Sequence, residues 1–212
     1  MIIVNFKTYS EAMGEKAASV AKKCQEASEK TGRDVIAVPT DADLLRLESI
    51  DIPVFSQHVD PVEPGSHTGS SLSENVAQAG ATGTLINHSE HRIDAEKVRE
   101  SIKRASENGL TTIVCAQDPE ECGRYSEFGP DYIAYEPPEL IGGDTSVSSA
   151  KPELISEAVE RSEVPILTGA GIKTKEDVEK SVELGCEGVL VASGVVKAEN
   201  IYEEIVELCE GL

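Results

Sequence analysis

An eightfold alternation constrains this chain more than any other feature. Short, mostly apolar runs rich in β-branched residues recur eight times, each followed by a longer amphipathic or polar stretch. They are Ile2–Phe6, Val35–Val38, Val54–Gln57, Thr84–Asn87, Thr111–Cys115, Tyr132–Tyr135, Pro165–Thr168 and Gly188–Val191. None follows the strict apolar–polar rhythm of a strand with one wet face. Each therefore suits a strand of a parallel sheet covered on both sides. Among the intervening stretches, Glu11–Lys30 sets Ala17, Val20, Ala21 and Cys24 on one helical face, and Thr8-Tyr9-Ser10-Glu11 predicts a capping box at its start. Asp118-Pro119-Glu120-Glu121 and Thr174-Lys175-Glu176-Asp177 read as two further helix starts, each an N-cap followed by first-turn acids. Gly32, Gly80, Gly109 and Gly185 each stand just before a strand, where glycine accepts the left-handed turn that ends a helix.

Strands alternating with helices predict an α/β fold of βαβ units around a parallel sheet. Eight units with no linker-like break predict one closed (β/α)8 barrel domain over residues 1–212. Such barrels need at least about 200 residues, so the outer helices must be shortened. The stretch between Val38 and Pro53 is the weakest, with only Asp41–Leu47 looking helical.

The chain carries 39 acidic and 19 basic residues, a formal net charge of −20. Nucleic-acid binding needs a basic face, and docking on anionic membranes needs basic clusters, so neither partner is expected. A small anion held by a few local donors is still compatible. A hydrophobic content of 39% separates the chain from highly charged disordered segments. No apolar run reaches the ~18–20 residues of a membrane span, and Met1-Ile2-Ile3-Val4-Asn5 has no basic n-region of a signal peptide. The cysteines, Cys24, Cys115, Cys122, Cys186 and Cys209, are odd in number and form no CxxC pair. They predict free, buried thiols in a reducing cytoplasm.

In a barrel of this kind the chemistry sits where strands end. Asn5-Phe6-Lys7 follows the first strand, and Gln57-His58 and a long loop with His67-Thr68-Gly69 follow the third. Asn87-His88-Ser89-Glu90 follows the fourth, and Glu136-Pro137-Pro138-Glu139-Leu140-Ile141-Gly142-Gly143 the sixth. Gly169-Ala170-Gly171 and Ala192-Ser193-Gly194 close the list, small-residue turns able to turn bare backbone N–H groups toward an anion. Lys7, His88 and Glu136 bring a cation, an imidazole and a carboxylate to one mouth, a set suited to proton abstraction beside a carbonyl. Taken singly, each has a plainer role: a solvated lysine, a loop histidine, a surface acid.

Together these motifs resemble the short, archaeal branch of the triosephosphate isomerases, whose fold is the TIM barrel. Asn5-Phe6-Lys7 resembles the family's Asn-x-Lys, Asn87-His88-Ser89-Glu90-His91-Arg92 its histidine motif, and Tyr135–Gly142 its base and lid. Gly169-Ala170-Gly171-Ile172 and Val191-Ala192-Ser193-Gly194 resemble the branch's phosphate loops. The resemblance implies interconversion of dihydroxyacetone phosphate and D-glyceraldehyde 3-phosphate, a step of glycolysis and gluconeogenesis, with no cofactor and no metal. It implies Glu136 as base, His88 as neutral electrophile and Lys7 as charge stabiliser, a division of labour for which this family is itself the stock illustration. It also implies substrate contacts at Asn5, Phe6, Ile141, Gly171, Ala192 and Ser193, with Lys7 the only fixed cation near the phosphate. Ser89 and Glu90 would support the site, and Pro137–Gly142 would form the lid.

In the family the threonine matching Thr68 reaches into a neighbouring subunit, which implies a homo-oligomer, a dimer or, given the shortened shell, a tetramer. Ser70 stands where the family commonly has Glu, and the lid lacks the tryptophan of longer relatives. A metal-dependent phosphosugar epimerase would need further ligands that His58, His67 and His91 do not supply with acids. A non-catalytic binding barrel would have no need of Lys7, His88 and Glu136 together. The acids, among them Glu26, Glu29, Glu157, Glu160, Glu203, Glu204 and Glu207, are expected on the outer helices, leaving the mouth locally positive. Their excess suggests adaptation to high intracellular salt, although lysine outnumbers arginine.

Overall fold

The computed structural model describes residues 1–140 and 146–212. Its strands are β1 (Ile2–Asn5), β2 (Val35–Val38), β3 (Phe55–Ser56), β4 (Gly83–Ile86), β5 (Thr111–Ala116), β6 (Tyr132–Tyr135), β7 (Ile166–Thr168) and β8 (Gly188–Val191). All pair in parallel, in the order β2-β1-β8-β7-β6-β5-β4-β3. The two ends of this sheet meet through one parallel bridge, Ala37 with Val54, where the Ala37 N–H donates to the Pro53 carbonyl at 3.0 Å. The result is a nearly closed eight-stranded barrel. Its seam is thin: β3 is only two residues long, and a single bridge joins it to β2.

Side chains alternate across the barrel wall, as the pleat dictates. Ile3, Ile36, Val38, Phe55, Leu85, Ile113, Cys115, Ala134, Leu167 and Leu190 fill the interior. Ile2, Val4, Ala37, Ile86, Val114, Ile133, Tyr135, Ile166, Val189 and Val191 pack outward against the helices. Both faces are thus dry, which is why no strand shows a polar rhythm. Gly83 makes room for the Phe55 ring inside the barrel: a Cβ there would lie 2.4 Å from it.

The shell comprises α1 (Glu15–Thr31), α2 (Ser73–Gln78), α3 (Ala95–Glu107), α4 (Pro119–Ser126), α5 (Val147–Ala150), α6 (Pro152–Arg161), α7 (Lys175–Glu183), α8 (Ser193–Val196) and α9 (Ile201–Glu210). It is trimmed as expected: a 3-10 helix over Asp41–Leu47 alone separates β2 from β3. Asp118 caps α4 through the Glu121 N–H at 2.7 Å, and Thr174 with Asp177 forms a full capping box on α7. Gly32, Gly80, Gly109 and Gly185 all have positive φ.

One helix start differs from the sequence expectation. Thr8–Glu11 forms no capping box; a 3-10 turn covers Ser10–Ala12 and α1 begins only at Glu15. Gly14, at φ 62°, breaks the path between them, and its N–H donates to Asp43 Oδ2 at 3.0 Å. The acids named above do lie on α1, α6 and α9, and none is buried. All five cysteines are buried free thiols. Among the described residues no helix is long and apolar enough to cross a membrane.

Candidate active site

The end of β1 delivers Asn5 and Lys7. Asn5 is buried, and its Oδ1 accepts the Lys7 N–H at 2.9 Å. Lys7 has φ 46°, a left-handed conformation that costs a non-glycine residue about 1–3 kcal/mol. Gln57 holds that bend from across the mouth: its Nε2 donates to the Lys7 carbonyl at 2.9 Å and to the Val38 carbonyl at 3.3 Å. The ammonium is thereby aimed inward, where Nζ meets Glu90 Oε1 at 2.9 Å. Phe6 points away into the core and is fully buried, so its side chain does not line the site.

The end of β4 delivers His88. Asn87 adopts φ 64° and ties off the turn with both ends of its amide, donating to the Cys115 carbonyl and accepting the Ile93 N–H, each at 3.0 Å. The Glu90 N–H donates to His88 Nδ1 at 3.2 Å. A nitrogen that accepts carries no proton, so this contact assigns the neutral tautomer with its hydrogen on Nε2. That nitrogen faces the mouth, 3.7 Å from Glu136 Oε2.

The end of β6 delivers Glu136, which is only 6% exposed. Its backbone N–H donates to the Ala116 carbonyl at 2.8 Å, while its Oε2 is buried with no hydrogen-bond partner. A buried carboxylate oxygen without a donor is costly, and such exceptions concentrate at working sites. Burial and the nearby Glu136 charge push the Cys115 thiol well above its ordinary range, so it stays protonated. The Ser89 hydroxyl is also buried and unpartnered, and with Glu136, Arg92 and Pro138 it lines a 210 Å³ cavity. Pro138–Leu140 form a 3-10 turn after the carboxylate, and Glu139 there pairs with Lys151. Ile141 and the rest of the expected lid up to Gly142 lie outside the described residues.

After β7, Ala170 and Gly171 take successive left-handed values, φ 72° and 73°. Gly171, Ala192 and Ser193 share one small cavity with Asn5, Lys7, His88 and Glu136. Lys173 lines it too, so Lys7 is not the only lysine near that end of the site. A larger cavity of 660 Å³ opens beside it, bounded by Lys7, Gln57, His58, Glu90, His91 and the carboxylates Asp41 and Asp60. The mouth is therefore not cleared of acids, as a locally positive site would require; Lys7 lines both cavities and Lys173 the smaller one. Thr68 is exposed on the loop over 60–71, and neighbouring Gly69 reaches the larger cavity.

The family model for triosephosphate isomerase matches residues 1–209. The chain belongs to the triosephosphate isomerase family. It is 45% identical over 214 aligned positions to the triosephosphate isomerase of Methanothermus fervidus, covering 98% of this chain and 96% of the relative. The Methanocaldococcus jannaschii enzyme is 43% identical, with 98% of each chain covered. The Methanobrevibacter smithii enzyme is 40% identical, covering 100% of this chain and 98% of its own. The crystal structure of the Bartonella henselae enzyme superposes with TM-score 0.77 at 19% identity, over 99% of this chain and 97% of that one, a likeness of fold. The chain is thus an isomerase of this family, built as a (β/α)8 barrel.

Four participants escaped sequence reasoning. Gln57 was visible only as a strand-end amide, and Lys173 was not singled out at all. Cys115 read as core, and Gly169 as an anion turn. Gly169 in fact makes room for Glu136, since a Cβ there would lie 2.6 Å from the Glu136 Cγ and Oε1. Nothing in local spacing signals such a cross-strand approach.

Proposed function

We propose that this site interconverts dihydroxyacetone phosphate and D-glyceraldehyde 3-phosphate by proton transfer through an enediolate. Glu136 removes a proton from the carbon beside the carbonyl and returns it to the neighbouring carbon. His88, neutral, offers its Nε2–H to the substrate oxygens, and Lys7 offsets the negative charge that develops on them. The observation that carries this reading is the approach of Glu136 Oε2 to within 3.7 Å of His88 Nε2, with Nδ1 occupied by the Glu90 N–H. A base and a donor of fixed tautomer face one space, which is what enolisation needs.

Asn5 places the substrate oxygens and holds Lys7. Backbone N–H groups at Gly171, Ala192 and Ser193, with Ile141 from the lid, receive the phosphate. Ser89 and Glu90 support the base and the lysine. Closure of the lid excludes water and guards the enediolate against loss of phosphate. Thr68 enters the site of a second copy in a homodimer or tetramer; its exposure, and the open cavity beside Lys7, suit that exchange. The five buried thiols agree with a reducing cytoplasm.

Glu136→Asp tests the central assignment, because it withdraws the carboxylate by one methylene and keeps its charge. kcat should fall by roughly 10²–10³-fold with an unchanged circular dichroism spectrum; undiminished kcat would refute Glu136 as the base. A coupled isomerase assay run beside light scattering at several salt concentrations tests the assembly, and full activity in a monomer would refute the role of Thr68.

A further inference from the structure

The two cavities at the mouth differ in charge. The larger is bounded by one lysine, Lys7, against three carboxylates, Asp41, Asp60 and Glu90. The smaller holds the turns at Gly171 and Ala192–Gly194, and sets two lysines, Lys7 and Lys173, against the single carboxylate of Glu136. Lys7 already shares its ammonium with Glu90 at 2.9 Å. Without Lys173, a dianion entering the smaller cavity would meet more negative side-chain charge than positive.

The backbone fixes where Lys173 stands. Ala170 and Gly171, at φ 72° and 73°, turn the chain sharply after β7, and Ala170 carries the strain of a left-handed non-glycine residue. Ile172 then enters the core, 5% exposed. Asp177 Oδ2 accepts the Lys173 N–H at 3.1 Å and the Thr174 N–H at 3.2 Å, so the capping box of α7 anchors the residue from behind. Lys173 is half-buried, and its stem lies against the Ala192–Gly194 turn: a Cβ on Gly194 would sit 3.7 Å from the Lys173 Cγ.

We propose that Lys173 is a phosphate-binding residue, the cation that makes the smaller cavity the seat of the substrate's phosphodianion and favours phosphorylated over neutral trioses. This rests on the reading of the site given above, which placed the phosphate on backbone N–H groups. Amides supply only partial charges, whereas an ammonium in a half-buried cavity makes a charge-assisted hydrogen bond, about twice as strong as a neutral one. A compact charge on a flexible stem can follow the phosphate as it settles. Lys173 moves no proton; that work stays with Glu136 and His88. Nor does it line the larger cavity, which the proposed assembly gives to Thr68 of a second copy, so oligomerisation leaves it in place.

The test uses the full-length protein with inorganic phosphate as the probe. Binding is read by phosphorus NMR titration, beside steady-state kinetics with D-glyceraldehyde 3-phosphate. Lys173→Met keeps the stem against Gly194 and removes the charge. It should weaken phosphate binding roughly tenfold or more and raise KM by a similar factor, with kcat within about threefold of wild type. Lys173→Arg restores the charge and should recover most of the affinity. Lys175→Met removes an equal charge from a neighbouring side chain that pairs with Glu179 and Glu210 and does not line the cavity. It should bind phosphate as wild type does. Equal phosphate affinity of Lys173→Met and wild type, or no binding by wild type at all, overturns the proposal. So does an equal loss in Lys175→Met, which would make the effect one of the overall field. A Lys173→Arg no better than Lys173→Met overturns it too, since the cause would then be packing and not charge. Full activity of Glu136→Asp would sink the assigned proton transfer without moving any phosphate affinity, so the two failures are distinguishable.

Discussion

Gly169 stands against the side chain of Glu136 so closely that a Cβ added to it would lie 2.6 Å from the Glu136 Cγ and Oε1. No real Cβ sits at that distance, and the neighbour it would strike is the proposed base. Glu136 is walled in by burial, so it has to shift within the site itself. Gly169→Ala should therefore lower kcat by about 10²-fold, the loss typical of a 1 Å misplacement of a reacting group. Overpacking should also cost about 1–3 kcal/mol of stability. Steady-state kinetics and thermal melts check both, and a fully active Gly169→Ala would show that the close approach does not set the position of the base.

Glu90 acts on the site twice, with different atoms. Its backbone N–H sets the His88 tautomer, and its carboxylate holds the Lys7 ammonium at 2.9 Å. Glu90→Gln keeps the first contact and removes the charge from the second. The expected result is about a tenfold or greater loss of kcat/KM, from a lysine no longer held in place, with a stability change under about 1 kcal/mol because the carboxylate is largely exposed. A variant as active as wild type would mean that the bend at Lys7, held by Asn5 and Gln57, is enough to aim its side chain.

Much of the fold was legible because its rules are local. β2, β6 and β8 coincide with the apolar runs Val35–Val38, Tyr132–Tyr135 and Gly188–Val191, since dry strands of a parallel barrel cannot be anything but apolar. β3 covers only Phe55–Ser56 of the expected Val54–Gln57, with Val54 reduced to a single bridge, and α1 started late because Gly14 takes a positive φ that apolar periodicity cannot see. The catalytic candidates were legible because each follows a strand end. Phe6 was carried along by its place between Asn5 and Lys7, yet the alternation of strand residues turns it into the core. Gln57 and Gly169 depend on contacts between distant segments, which residue spacing does not encode.

Asp43 is the buried acid that makes the late start of α1 workable. It is 5% exposed and accepts from the Gly14 N–H at 3.0 Å, the Thr40 hydroxyl at 3.2 Å and Arg46 Nε at 3.2 Å. Asp43→Ala leaves the Gly14 N–H without its acceptor and takes away one of the two carboxylates that Arg46 pairs with, Glu15 being the other. A loss of about 2–4 kcal/mol is expected, read from urea denaturation midpoints at constant m-value. Asp43→Asn retains one acceptor oxygen and should recover part of that loss. Equal stability of all three proteins would refute the anchor.

The net charge of −20 bears on stability through specific pairs. Glu204 and Glu207 lie three apart on α9, one helical turn, and Glu204 is half-buried. Burial first, and the Glu207 charge second, raise the Glu204 pKa above its reference value of 4.5. A carboxyl whose pKa rises on folding binds protons more tightly when folded, so its ionisation erodes stability as pH climbs through the folded value. Below the unfolded value the group is neutral in both states and the cost vanishes. Glu204→Gln should therefore melt higher than wild type at about pH 7, and the advantage should disappear below about pH 4. Added salt should shrink the Glu204–Glu207 part of that advantage and raise the melting temperature of the wild type, because screening relieves repulsion among the exposed acids of α1, α6 and α9. If wild-type stability and oligomeric state are the same in low and in molar salt, the acid excess is no adaptation to salt. It would then be only the solvated outer face of the barrel.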